Sequence, residues 1–196
     1  MRLLLLKIPA LFFICTLCAC QSLRSPSGPQ TAEAASLEGK NSNSPTRKNA
    51  LALLDDLLGD EKNLSKILII KHNSDELGKL VEDISKTAGD GAKMLESLAK
   101  SEPGLDLKRT DLPPGEAAAR KAISKTKEQL LLHSKAAEFQ FQLLLTQVEA
   151  LSYGAHLAMV VADGEANPDR TREFLRLSAR LRDLDERVLA MLRATK

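Results

Sequence analysis

Three histidines, His72, His133 and His156, are the side chains best suited to metal or acid–base chemistry in this chain. A di-iron centre in a helical bundle needs inward carboxylates and two Glu-x-x-His pairs. The residues three before these histidines are Ile69, Leu130 and Tyr153, so that pattern is absent. Glu149 and His156 share a helix edge but stand two turns apart, too far for one ion to bridge without a third ligand. Both read more simply as solvated edge positions. Nucleophilic catalysis needs a nucleophile beside a base, and the chain has neither Gly-x-Ser-x-Gly nor a glycine-rich phosphate loop. Gly89-Asp90-Gly91 lies inside a helical pattern and suits close helix packing or a kink. No catalytic residue, metal ligand or cofactor is therefore expected.

Charge offers one further candidate. Arg172, Arg176 and Arg180 recur every fourth residue with no acid on their stripe. A solvated helix face is the default reading. The alternative is contact with anionic lipid, lipopolysaccharide or an acidic partner, an attraction that salt weakens.

Cysteine is the third kind of reactive residue, and all three lie at the N-terminus: Cys15, Cys18 and Cys20. Arg2 and Lys7 precede an apolar run from Ile8 to Leu17, and small Ala19 stands before Cys20, the order of charges, apolar core and small residue in an export signal. Pro9 and Lys7 leave about ten uninterrupted apolar residues, where a membrane-spanning helix needs about 20. Leu17-Cys18-Ala19-Cys20 resembles the lipobox of bacterial lipoproteins, in which the cysteine is acylated and becomes the first mature residue. Leu17 before Cys18 is too bulky for the small position, so Cys20 is the expected lipid attachment site and membrane anchor. The resemblance implies removal of residues 1–19, no disulfide in the mature chain, and, with Gln21 rather than Asp after the lipid site, sorting to the outer membrane facing the periplasm.

The whole chain carries 28 Lys and Arg against 26 Asp and Glu, and without Arg2 and Lys7 the two balance. Only Phe139, Phe141, Phe174 and Tyr153 remain as aromatics after that segment. A nucleic-acid binder needs a basic surplus or stacking platforms, so that class is disfavoured. Residues 21–44 are rich in Ser, Pro, Gly, Asn and Ala and cannot bury enough apolar surface to fold. As a flexible coil this tether reaches about 27 Å.

The elements that must position any site are helices. After Pro45 the prolines are Pro103, Pro113, Pro114 and Pro168, leaving long helix-permissive intervals. Ser44-Pro45 and Asn167-Pro168 each put a capping residue before a proline suited to the first helical position. Gly59 and Gly164 suit the left-handed residue that ends a helix. Apolar residues step by 3 and 4 along Leu77, Val81, Ile84, Ala88, Gly91, Leu95 and Leu98, along Phe174, Leu177, Leu181, Leu184, Val188 and Met191, and along Phe141, Leu144, Val148, Leu151, Ala155, Ala158 and Ala162. Such seams imply near-parallel or antiparallel packing, and no stretch alternates with period two.

These signals predict long helices over 75–101, 136–162 and 168–194, each about 40 Å. Residues 45–72, bent at Gly59, form the fourth, and a break falls near His133-Ser134-Lys135. The expected fold is all-α: a four-helix bundle over 45–196 with residues 102–135 as one long crossover carrying its own short helix, the ferritin-like arrangement. A second apolar line, Ala136, Phe139, Leu143, Ala150, Tyr153, Leu157 and Val160, requires a cover on the other face of helix 136–162. That cover is the crossover helix 114–132 or, alternatively, a homodimer or partner surface.

Met94-Leu95-Glu96-Ser97-Leu98-Ala99, Leu112-Pro113-Pro114, Ala137-Glu138-Phe139 and Val148, in this order of elements, resemble a family of bacterial periplasmic four-helix proteins of unknown function within the ferritin-like group, over about residues 60–192. Its members carry histidines on the second and third long helices. Those positions fall on Ala88 and Leu151 here, so the metal or proton role of that family is not carried over. The resulting expectation is a non-enzymatic envelope lipoprotein with a structural or interaction role. The alternatives are a ferritin-like metal or redox protein, or an adaptor that holds an envelope protein through helix 136–162 or the arginine stripe.

Overall fold

A computed structural model describes residues 41–68 and 74–195. The expected signal, Cys20 and the tether up to residue 40 lie outside the described residues, as does His72. The described residues are helical and contain no strand: α1 (Pro45–Glu61), α2 (Ser65–Leu68), α3 (Asp75–Ser101), α4 (Pro114–His133), α5 (Ala136–Gly164) and α6 (Pro168–Ala194).

Three helix starts follow directly from their caps. Ser44 is extended, and its hydroxyl accepts the Arg47 N–H at 3.2 Å, with Pro45 behind it as the first helical residue. Asn167 does the same for α6, its Oδ1 accepting from Asp169 and Arg170 at 2.9 and 3.3 Å. Ser74 caps α3 through Leu77 N–H at 3.3 Å, and Asp75 and Glu76 place negative charge in its first turn.

The helices pack in a closed circuit: α1 on α3, α3 on α6, α6 on α5, and α5 on α1. Arg47 at the start of α1 meets Glu102 after α3 and Glu165 after α5, while Arg170 at the start of α6 meets Glu102. Each helix of the circuit is therefore antiparallel to both its neighbours. It follows that α3 ends where α5 also ends, so the chain between them must travel back the length of the structure. α4, about 30 Å long, makes that return against α5. Ser134 and Lys135 are both extended and separate the two helices, and the Ser134 hydroxyl donates to Leu131 O at 3.0 Å in competition with the helical ladder.

The expected seams are the core, with one exchange. Leu77, Val81, Ile84, Ala88, Leu95 and Leu98 of α3 are buried, as are Phe174, Leu177, Leu181, Leu184 and Val188 of α6. On α5, Leu144, Leu151, Ala155, Ala158 and Ala162 are buried, but Phe141 is 47% exposed while Phe139 of the second line is 1% exposed. α5 meets α1, α4 and α6, so its inward arc is wider than one seam and takes in Phe139. Leu143 and Leu157 of the second line are buried too. α4 contributes only lightly to that cover: Leu131 is its buried residue, and Ile123, Leu130 and Leu132 are about half exposed. By length and hydropathy α5 would pass for a membrane-crossing helix, but a helix covered on several sides has the same composition.

Glycines behave differently from expectation. α1 is continuous through Gly59 and stops at Glu61, where the Asn63 amide donates to Gly59 O at 2.9 Å, and helix resumes at Ser65. Gly164 is the last residue of α5, and among the described residues the left-handed glycine is Gly104, at φ 94°, in the turn after α3. Gly91 has a packing role: a Cβ there would stand 2.9 Å from Leu58 and 3.3 Å from Leu177, so its absence lets α1, α3 and α6 approach. Gly154 is the counterpart on α5, where a Cβ would meet Leu57 at 2.7 Å and Leu181 at 3.3 Å.

Candidate functional site

α1 carries an inward line of Leu51, Leu54 and Leu58, fully buried. Continued by the same 3 and 4 steps, that line reaches Arg47 at one end and Glu61 at the other, and both are sites of concentrated polarity.

Arg47 is 1% exposed. Its Nη1 donates to Ser42 O at 2.7 Å and Glu102 Oε2 at 3.1 Å, and its Nη2 to Glu102 Oε1 at 3.1 Å and Glu165 Oε2 at 2.5 Å. The pairing with Glu102 is the bidentate fork that guanidinium geometry favours. Arg170 adds a second cation to Glu102 and reaches Ser101 Oγ at 3.4 Å. Burial pushes the Glu165 carboxyl up, but the Asn167 N–H, the Arg47 guanidinium and the Ser42 hydroxyl outweigh it and hold the group below the usual carboxylate range. Ser42 also accepts from Ala166 N at 3.2 Å. Five stretches of chain therefore converge here: residues 42–44, the start of α1, the end of α3, the α5–α6 turn and the start of α6. Each formal charge is opposed, and Arg47 Nε is the one buried polar atom of the group without a partner. Such an arrangement fastens the chain; it offers no unopposed base or nucleophile.

Glu61 closes the opposite end. Its Oε2 is buried without a partner, as is Oε1 of Gln147, a residue of α5 that is 3% exposed. The polar Gln147 side chain pulls the Glu61 pKa down. Over this end lies α4, whose Lys127 pairs with Glu149 of α5. Burial first, then the charge of Asp60, pushes the Glu61 carboxyl up to about 7, against the pull of Gln147 and Lys127. Asp60 is itself raised by burial and by the charges of Asp56 and Glu128.

Between these ends the segment that follows α3 is pinned along α1. The Asn49 side chain accepts Asp111 N–H at 2.8 Å, and Lys108 donates to the largely buried Asp55 at 2.6 Å, which raises the lysine's pKa. On α4, the Arg120 guanidinium donates to Tyr153 Oη at 2.7 Å and lies 5.2 Å over its ring.

The arginine stripe is broken up. Arg172 pairs with Asp169 of its own helix, while Arg176 and Arg180 are exposed. Arg180 borders a groove of about 640 Å³ between α3 and α6, where Lys86 and Arg187 alternate with Asp83, Asp90 and Asp183, and Arg187 bonds Asp83 at 2.6 Å. Positive charge is thus interleaved with negative rather than concentrated. Glu149 is engaged by Lys127, and His156 Nδ1 lies 2.7 Å from Ser152 O of its own helix. His133 likewise sits 2.8 Å from Gln129 O. Ala88 and Leu151, where the resembled family carries histidines, are each 1% exposed in the core.

Arg47, Glu102, Glu165 and Glu61 were missed by the sequence reading, which treated charged helix residues as solvated. The available signal was their register, since Arg47 and Glu61 fall on the apolar line of α1. No family model, curated protein or solved structure matches this chain.

Proposed function

We propose that this protein is a lipid-anchored helical module of the bacterial cell envelope, acylated at Cys20 and facing the periplasm from the outer membrane, whose folded part holds a partner rather than catalysing a reaction. The fold we infer is a four-helix bundle of α1, α3, α5 and α6 with residues 102–135 as its one long crossover, the ferritin-like arrangement. The antiparallel circuit and the lengthwise return of α4 support it.

The observation that carries the functional reading is the buried Arg47 cluster. Ser42, near the C-terminal end of the expected tether, contributes its carbonyl to Arg47 and its hydroxyl to Glu165. A pull transmitted along the tether would reach α1, α3 and the α5–α6 turn together, as an anchored scaffold requires. Apolar side chains on the core-facing lines of α3, α5 and α6 favour such a role over a metal or redox one. The exposed Phe141 and Leu145, one turn apart on α5, favour a protein partner over the interleaved charges around Arg180.

Fractionation and fatty-acid labelling of the wild type and Cys20→Ala test the anchor. Label and membrane association should be lost together in the variant, and label that persists in Cys20→Ala would overturn the anchor. Cross-linking in intact cells, followed by purification of the wild type and Phe141→Asp, tests the partner. A cross-linked protein lost with Phe141→Asp supports it, and an identical pattern for both argues against this surface.

A further inference from the structure

α4 is the least covered of the long helices. Of its 20 residues Leu131 is buried, Arg120 and Lys127 are half-buried, and the others are exposed. Those three fall on one line, seven and four residues apart, and hold the helix to the bundle. Arg120 bonds Tyr153, Lys127 pairs with Glu149, and Leu131 joins the core. The opposite line therefore points away from the protein, and it runs through Ala118, Ala122 and Lys125. Lys121 and Leu132 flank this crest on one side, Ile123 and Leu130 on the other. The three apolar side chains on the flanks are each about half exposed.

Charge on this face is of one sign. Between Glu116 and Glu128 stand Arg120, Lys121, Lys125 and Lys127, with no acid among them. Arg120 and Lys127 are engaged inward, whereas Lys121 and Lys125, one turn apart, have no partner among the described residues. The groove beside Arg180 differs, because acids line it as well.

We propose that the outward face of α4 is a contact surface for an anionic lipid bilayer, with Lys121 and Lys125 meeting headgroup charge and Ile123, Leu130 and Leu132 resting at the headgroup boundary. A convex crest of alanines suits a flat fluid surface better than it suits a protein's anchor residue, which needs a pocket. Lysines beside half-exposed apolar side chains can keep their ammonium groups among the headgroups while their stems lie along the apolar layer. The inference rests on the Cys20 anchor for proximity alone: a tether with a reach of about 27 Å keeps the helix near the bilayer, so a weak attraction is enough.

The test is hydrogen exchange, read by mass spectrometry, on the full chain purified from membranes and mixed with excess vesicles. One set is neutral phosphatidylcholine, and the other contains about 30 mol% phosphatidylglycerol. Exchange across residues 114–133 should be about tenfold slower on the anionic vesicles, and the difference should vanish in about 0.5 M salt and in Lys121→Glu/Lys125→Glu. Arg176→Glu/Arg180→Glu should leave it unchanged. A difference below about threefold, or one that survives in Lys121→Glu/Lys125→Glu, overturns the proposal. Slowing found in native envelopes but absent from both kinds of protein-free vesicle would make the cover a protein, and also overturns it. Flotation with the neutral vesicles reports the lipid anchor by itself, so failure of the anchor and failure of the α4 surface are read separately.

Discussion

The two ends of α1 solve the same problem in opposite ways. Arg47 and Glu61 both continue an inward leucine line, Arg47 fully buried and Glu61 partly so, with its Oε2 shielded from solvent. At Arg47 the structure supplies two carboxylates, a carbonyl and a second arginine, and Glu165 is held below the usual carboxylate range. At Glu61 it supplies a neutral amide and a cation already committed elsewhere, and the carboxyl is driven toward its uncharged form. Burial alone therefore does not decide ionisation; the number of opposing partners does.

The comparison can be broken most sharply at Arg47. Arg47→Met should cost about 3 to 5 kcal/mol in urea unfolding, because Glu165 and Glu102 lose the charge that compensates them. A loss below about 1 kcal/mol would mean the cluster is solvated and the contrast false. Leu151→Ala provides an apolar yardstick, expected at about 2 to 5 kcal/mol for a leucine 1% exposed. A cost under about 0.5 kcal/mol would remove Leu151 from the core.

The acid limb sharpens the contrast through its sign. The folded-state pKa of Glu165 is lowered, so its stabilisation is present above the ordinary carboxylate pKa and is lost as pH falls through the folded value. Glu61 is raised, so its contribution is complete below the unfolded value near 4.5 and is lost as pH rises toward about 7. Unfolding midpoints should therefore trace a dome, and Glu165→Gln should flatten its acid side. An acid limb unchanged in Glu165→Gln would assign that slope to other carboxylates. The smallest effect is expected from Ser42→Ala, which removes one hydroxyl shared by Glu165 and Ala166 at a cost of about 0.5 to 1.5 kcal/mol. Differential scanning calorimetry showing a loss as large as that of Arg47→Met would make Ser42, not Arg47, the centre of the cluster.

What the sequence made visible was local. Ser44-Pro45 and Asn167-Pro168 announce helix starts because a cap and its target lie within three residues, and the seams of α3 and α6 need only their own periodicity. The expected bounds of α3 and α6 match those observed, and α5 exceeds its expected end by two residues. Hidden were the features made by residues far apart. Arg47 meets Glu102 and Glu165 at separations of 55 and 118, and no spacing rule joins them. Phe139 and Phe141 are two apart, on different faces of one helix, and which of them turns inward depends on the neighbours of α5. Gly59 misled for a related reason: Asn63, four residues on, holds its carbonyl, and α1 passes through it to Glu61.

The light packing of α4 has a kinetic consequence. α4 touches one element of the circuit, α5, and buries Leu131 alone, while α1, α3, α5 and α6 each bury whole seams. Lifting α4 exposes little apolar surface, so it constitutes a separate cooperative unit of low opening free energy. In native-state hydrogen exchange the amides of residues 114–133 should trade with solvent deuterium well before those of α5 or α6, through openings that leave the remaining helices closed.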